Sequence, residues 1–168
     1  MDGLHNMGNM TFTDITAIQN SGFVGFNTVA EMKAGGYLSL PDIPGVYLIL
    51  KKDRLSPHFL QVGTGGHFKG KDPNVSEVEL KANWVPDAFV LYIGKATSLK
   101  QRLGQYMRFG KGATVGHWGG RYIWQLADAD QLLVCWKPTK DNPRTVEECY
   151  IQDFVSYYGC RPFANLAD

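Results

Sequence analysis

The chain has 168 residues, 44% of them hydrophobic, which suits one globular domain and leaves no room for a second catalytic domain. No run approaches the roughly 20 apolar residues of a membrane span, and the N-terminus lacks the basic and apolar regions of a signal peptide, so a cytoplasmic protein is expected. Lys and Arg number 17 against 16 Asp and Glu, so net charge by itself indicates no polyanionic partner.

The first 40 residues are predicted to form an N-terminal accessory segment, and residues 41–168 the main domain. Within the segment, Phe23, Phe26, Val29 and Met32 recur at helical spacing until a pair of glycines ends the pattern. This spacing predicts a short helix that packs on the domain.

Two short apolar runs in the main domain predict neighbouring strands. Residues 46–50 follow a turn rich in proline and glycine, and residues 89–93 end at a glycine. Between them, residues 51–88 form a long, polar, glycine-rich insertion, a kind of connection that is often functional or mobile. Because side chains alternate along a strand, pairing of the two strands would let Tyr47 and Tyr92 project from one face.

The second half of the domain alternates helix and strand patterns. An amphipathic helix is predicted over residues 98–109, with Thr97 or Ser98 as its N-cap. A third strand is predicted over residues 131–136, and a last helix over residues 144–158. These elements predict an α+β domain with a small three-stranded antiparallel sheet flanked by helices.

The charges of this half are unevenly distributed. No carboxylate lies between Asp87 and Asp128, whereas six basic residues do, and the acids cluster after them. A locally basic surface can hold phosphates, although a solvated helix face has the same composition. The basic residues are Lys95, Lys100, Arg102, Arg108, Lys111 and Arg121.

The last predicted helix places a carboxylate on its apolar face. At about 100° per residue, Glu147 lies among Val146, Tyr150 and Phe154. Such a carboxylate is costly unless it forms an ion pair with Lys or Arg, or holds a cation. The hard oxygen ligand suits Mg²⁺ or Mn²⁺, and the cysteines form no CxxC pair that would indicate zinc.

Two sequence motifs carry a family resemblance. Residues 41–47 read PDIPGVY, residues 91–96 read LYIGKA, and Leu99 and Arg102 follow. Together they resemble the paired signatures of the GIY-YIG nuclease superfamily, and the nearest likeness is to the nuclease module of bacterial excision-repair proteins. Residues 45–47 stand for GIY, and residues 92–94 are an unaltered YIG.

The resemblance extends to the C-terminus. Family members carry E-x-x-[LIY]-I on the last helix and then P-x-x-N, which correspond here to residues 147–151 and 162–165. Glu147 would then be the metal carboxylate and Asn165 a supporting amide. The spacing between the two motifs is longer than in the repair module, and counting back from Asn165 selects Asp153 instead.

The resemblance implies a metal-dependent endonuclease that hydrolyses DNA phosphodiester bonds. Arg102 would stabilise charge on the phosphate, and Lys95 would contact the phosphate or assist a tyrosine. The attacking water would be relayed by Tyr47, with Tyr92, Lys95 and His117 as alternatives. A phenol has a pKa near 10, so a tyrosine base would need nearby positive charge.

His117, beside a tryptophan and glycines, is a further candidate for proton transfer or phosphate contact, although a lone histidine is more often structural. A restriction-type enzyme, a structure-specific repair nuclease and a mobile-element endonuclease are all compatible with these features. The alternative from another class is a non-catalytic module that binds DNA or a protein. Cleavage of both strands with one site per chain would require a homodimer.

Overall fold

The computed structural model describes residue 10 and residues 12–166. The domain belongs to the α+β class, with an antiparallel sheet of four strands in the order β1-β4-β2-β3. The strands are β1 (Val24–Thr28), β2 (Gly45–Leu50), β3 (Val90–Ala96) and β4 (Leu133–Pro138).

The helices are α1 (Ile15–Asn20), α2 (Val29–Lys33), α3 (Glu77–Asn83), α4 (Leu99–Gly110) and α5 (Pro143–Tyr158). Short 3-10 turns occupy Gly36–Ser39, Arg121–Gln125 and Ala129–Gln131. The predictions for α4, capped by Ser98, and for α5, ended by Gly159 in a left-handed conformation, are confirmed to within one residue at each end. In the described part of the chain, no helix is both long enough and apolar enough to cross a membrane.

The two long helices cover opposite faces of the sheet. Because side chains alternate along β2, Tyr47 and Ile49 join the core cluster that contains the apolar face of α4. Val46 and Leu48 join the cluster that contains the buried residues of α5. Both faces of β2 are therefore buried, which explains why its six residues read as a continuous apolar run.

The N-terminal segment differs from the prediction of a helix. Residues 24–28 form an edge strand that pairs with β4, and a helix begins only at Val29, so the sheet has four strands rather than three. Phe23 packs on one face of the sheet while Val29 and Met32 pack on the other, so their spacing reflects a change of element rather than one helix. The sequence feature that marks the start of the helix at Val29 is a capping box, in which Thr28 and Glu31 satisfy each other's backbone N–H groups.

The prediction that the second strand ends before Gly94 is also wrong, because β3 continues through Gly94 to Ala96. Gly94 pairs with Tyr47, and a Cβ at Gly94 would collide with the ring of that tyrosine. The glycine allows the Tyr47 ring to lie across β3, and it does not break the strand.

The insertion at residues 51–88 folds against the domain and contains α3. Its anchor is the buried amide of Gln125, which accepts a hydrogen bond from the Val75 N–H at 2.9 Å. The same amide donates to the carbonyls of Leu60 at 3.1 Å and Val75 at 2.9 Å. A single buried side chain thus satisfies backbone groups of an otherwise polar connection.

Candidate functional site

A cleft of about 980 Å³ lies beside β3, between α4 and the first turns of α5. Five of the side chains that line it are cationic and two are acidic. The cleft is therefore positive although the whole chain is nearly neutral. The cationic residues are Lys95, Lys100, Arg102, Arg108 and Arg144, and the acidic ones are Asp42 and Glu147.

Tyr47 and Tyr92 lie on the same face of the sheet, as predicted from strand alternation. In the register of β2 and β3, Tyr47 pairs with Gly94 and Tyr92 with Ile49, so the tyrosines are diagonal neighbours. Their ring centroids are 5.9 Å apart, and the ring of Tyr106 packs against both. Tyr92 is 7% exposed and lines the cleft, whereas Tyr47 is fully buried beneath it.

The hydroxyl of Tyr47 is buried and makes no hydrogen bond of good geometry with the described residues. Burial raises the pKa of Tyr47, and the nearby charge of Arg102 opposes that effect without cancelling it. Burial also raises the pKa of Tyr92 well above its usual value. Both phenols are therefore protonated at neutral pH, and the charge of Arg102 by itself does not convert Tyr47 into a base.

A glycine pair brings the loop after α4 close to the tyrosines. A Cβ at Gly119 would lie 2.8 Å from the hydroxyl oxygen of Tyr92. Gly120 has a left-handed φ of +77°, and its carbonyl accepts a hydrogen bond of 2.8 Å from Tyr106. The same loop places the exposed side chain of His117 at the cleft.

Arg102 lies in the first turn of α4 and lines the cleft. Its Nη1 donates a hydrogen bond of 3.1 Å to Oε1 of Gln105, a neutral partner. Among the described residues Arg102 forms no salt bridge, so its charge is available to an anionic ligand. A guanidinium in this position can form two hydrogen bonds to a phosphate.

Glu147 and Lys95 reach the cleft from the other face of the sheet. Lys95 pairs with Val46 in the sheet, and its Nζ lies 3.7 Å from Oε1 of Glu147. The side chain of Glu147 is 15% exposed and that of Lys95 is 48% exposed, so the pair remains open to solvent. Burial raises the pKa of Glu147, and Lys95 opposes that effect. The cleft thus wraps around β3, an edge strand of the sheet.

Asp153, the alternative carboxylate, does not line the cleft. It lies near Met10, whose backbone N–H donates a hydrogen bond to it, and its Oδ2 is buried without a partner among the described residues. Glu147, rather than Asp153, is therefore grouped with Arg102 and Tyr92.

Asn165 also lies outside the cleft, where it covers the free edge of β3. Its Oδ1 accepts a hydrogen bond of 2.8 Å from the Ile93 N–H, and its Nδ2 donates one of 2.9 Å to the Ile93 carbonyl. The N–H of Ala164 donates to the carbonyl of Leu91 at 2.9 Å. The amide therefore acts on the strand that carries Tyr92 and Lys95, and it does not face a ligand.

Sequence reasoning gave no site role to several residues that line the cleft, among them Tyr37, Gln101, Gln105 and Arg108. Gln101, Gln105 and Arg108 recur at i, i+4 and i+7 on one helix face, and Gln105 lies three residues from Arg102, which was the available signal. For Tyr37, on the 3-10 turn before β2, the sequence offered no signal.

Comparison of the chain with protein-family models, with curated proteins and with solved structures finds no match. In the described residues, no group of three or more His, Cys, Asp or Glu side chains could hold a metal ion. Function is therefore inferred from the chemistry of the cleft itself.

Proposed function

We propose that this chain is a metal-dependent endonuclease that hydrolyses DNA phosphodiester bonds, as its resemblance to the GIY-YIG superfamily implies. The observation that carries the proposal is that Tyr92, Lys95, Arg102, His117 and Glu147 line one positive cleft. These five residues were selected from the sequence by motif and pattern, and they come from three elements and a loop. Such a convergence is what a phosphodiester site requires.

Arg102 provides the stabilisation of charge in this mechanism. Its guanidinium would bind the non-bridging oxygens of the scissile phosphate, where negative charge increases as water attacks. Tyr92, protonated and exposed only towards the cleft, would donate a hydrogen bond to the same oxygens or to the attacking water. Tyr47 lies beneath both groups and holds their orientation.

Glu147 fits a divalent cation shared with the substrate. Mg²⁺ keeps several waters and is commonly held by one or two protein carboxylates together with phosphate oxygens, so a complete protein cage is not required. The side chain of Glu147 is mostly buried, and its salt bridge to Lys95 is long at 3.7 Å, so a cation could displace the ammonium. When bound, Mg²⁺ or Mn²⁺ would polarise the phosphate and neutralise the departing 3′-oxygen.

His117 is the proton acceptor that the geometry favours. Its imidazole is exposed in the cleft, whereas the phenol of Tyr47 is buried and protonated. A histidine can accept a proton near neutral pH as water forms the new O–P bond. Cleavage of the P–O3′ bond would then leave a 5′-phosphate and a 3′-hydroxyl.

The salt bridge between Lys95 and Glu147 favours a second candidate, a non-catalytic DNA-binding module. In that protein the lysine would permanently neutralise the carboxylate, and the cleft would only bind phosphates. Metal-dependent nicking of a supercoiled plasmid distinguishes the two candidates. Within the nuclease class, a restriction-type enzyme would break both strands at one sequence, whereas a repair enzyme would act on branched or nicked DNA.

The decisive variant is Glu147→Gln, which keeps the size of the side chain and removes its charge. We expect plasmid nicking to fall by at least about 100-fold, since the cation loses its protein carboxylate. Asp153→Asn is the matched control, because it neutralises a carboxylate on the same helix outside the cleft and should keep wild-type activity. Full activity of Glu147→Gln would refute the metal role of this residue.

A further inference from the structure

The end of the cleft away from α5 contains a tyrosine and an arginine that the proposed chemistry does not use. Tyr37, on the turn Gly36–Ser39, and Arg108, near the C-terminus of α4, both line the cleft. Neither the phenol of Tyr37 nor the guanidinium of Arg108 has a hydrogen-bond or salt-bridge partner in the described part of the chain. The described contacts therefore give these two polar groups no role in holding the fold together.

The ring of Tyr37 has a defined place. It packs on the core cluster below α4, and a Cβ at Gly104 would lie 2.8 Å from its Cδ2 and Cε2 atoms. The same Cβ would lie 3.2 Å from Nη1 of Arg108, so the ring and the guanidinium meet above this glycine. The turn that carries Tyr37 is held by hydrogen bonds from Leu38 to Gly35 and from Leu40 to Tyr37.

We propose that Tyr37 and Arg108 form a subsite for a nucleotide that flanks the scissile phosphate. The Tyr37 ring stacks on its base or sugar, and Arg108 contacts the next phosphate of the same DNA strand. This inference rests on the proposed nuclease function, and it adds the element that holds the strand beside the point of cleavage.

The spacing along α4 supports a single continuous strand. Arg102 and Arg108 both line the cleft and lie about 9 Å apart along the axis of α4, so a strand bound at Arg102 brings a neighbouring phosphate within reach of the long Arg108 side chain. An aromatic ring beside a line of cations is the arrangement that binds single strands with little sequence preference. The charge of the cleft, five cations against two acids, complements such a strand.

Equilibrium binding tests the subsite separately from cleavage. A short fluorescein-labelled single-stranded DNA is titrated with protein by fluorescence anisotropy, without divalent cation. We expect Tyr37→Leu to weaken binding by roughly five-fold or more, as loss of one stacked base does, and Tyr37→Phe to stay within about two-fold of wild type. Tyr157→Leu, which removes a tyrosine exposed outside the cleft, is the matched control.

Arg108→Gln tests the subsite independently, so the test remains valid if Tyr37→Leu does not fold. It should weaken binding and reduce the slope of log Kd against log salt by roughly 0.7, the loss of one phosphate contact on a single strand. Arg54→Gln, at a separate small pocket, should change neither the affinity for DNA nor the slope of log Kd against log salt. Equal affinity of Tyr37→Leu and Tyr157→Leu, or an unchanged salt slope in Arg108→Gln, would overturn the subsite.

These outcomes separate the two proposals. If the wild type fails to nick plasmid and the Tyr37 and Arg108 effects on binding persist, the subsite stands and the nuclease function falls. If the wild type nicks plasmid and the binding of the variants is unchanged, the nuclease function stands and the subsite falls.

Discussion

The hydroxyl of Tyr47 is a buried polar group whose polar neighbours, Tyr92 and Arg102, form no well-aligned hydrogen bond with it. Tyr106, a neighbouring buried tyrosine, donates its hydroxyl hydrogen to the carbonyl of Gly120, whereas the Tyr47 hydroxyl has no such acceptor in the described residues. A buried polar atom without a partner costs about 1–3 kcal/mol, so its retention at this place needs a reason other than stability. The hydroxyl lies near Arg102 and Tyr92, and in the proposed nuclease it supports the orientation of both groups.

Tyr47→Phe should separate stability from function. Because it keeps the ring and removes a hydroxyl that makes no well-aligned hydrogen bond with the described residues, we expect the free energy of unfolding to stay equal or to rise by about 1 kcal/mol. Plasmid nicking should fall, since Arg102 and Tyr92 lose a polar neighbour that supports their orientation. Urea denaturation and the nicking assay measure the two effects.

Tyr106→Phe is the comparison for Tyr47→Phe. It leaves the Gly120 carbonyl without its donor, so it should lower the free energy of unfolding by about 1 kcal/mol. If both variants lost the same stability, the hydroxyl of Tyr47 would have a partner after all.

Strand β3 carries two residues of the candidate site. One of its faces presents Tyr92 and the other presents Lys95, and its free edge is covered by the side chain of Asn165. That amide supplies one donor and one acceptor to Ile93, as a neighbouring strand would. Asn165 is therefore a positioning residue, which acts on the site through the backbone of β3.

Asn165→Ala should lower stability and activity together. The N–H and carbonyl of Ile93 lose their partners, so we expect a loss of about 1–3 kcal/mol in the free energy of unfolding by urea denaturation. Nicking should fall because the strand that carries Tyr92 and Lys95 is less firmly held.

Asn83→Ala is the control for Asn165→Ala, since within the described ranges the Asn83 amide donates to a single group, the Glu79 carbonyl of its own helix. The free energy of unfolding of Asn83→Ala should differ from that of the wild type by less than about 0.5 kcal/mol. Loss of activity in Asn165→Ala at unchanged stability would contradict a positioning role and indicate contact with the substrate.

At the scale of the whole molecule, Asp153 joins α5 to the N-terminal residues through the backbone N–H of Met10. Burial raises the pKa of Asp153, and the hydrogen bond from Met10 only partly opposes that effect. The folded chain therefore binds this proton more tightly than the unfolded chain. Above the raised pKa, the ionised Asp153 lowers the free energy of unfolding. This loss of stability diminishes as the pH falls from the raised pKa towards the usual pKa of an aspartate.

Asp153→Asn should therefore raise the Tm at neutral pH, and its advantage over the wild type should shrink as the pH is lowered through the raised pKa. Thermal unfolding over a pH series measures this. Asp141→Asn, which neutralises an exposed carboxylate, is the control and should show no such pH-dependent gain. A constant difference between Asp153→Asn and wild type at every pH would show that ionisation is not the cause.

Much of the site followed from local patterns. Period-two alternation correctly placed Tyr47 and Tyr92 on one face, and rotation by 100° per residue correctly directed Glu147 inwards on α5. The α+β class followed from the order of the elements. The fourth strand was missed because β1 is defined by pairing with β4, more than a hundred residues away, and its local spacing resembled a helix.

The sequence by itself determined which way each candidate side chain points along its own element, because side-chain direction repeats with the period of a strand or a helix. Only the tertiary structure decided that Glu147 rather than Asp153 lines the cleft with Arg102, that the cleft passes around the edge of β3, and that Tyr37 belongs to it. These outcomes depend on packing between distant segments, which no local period encodes.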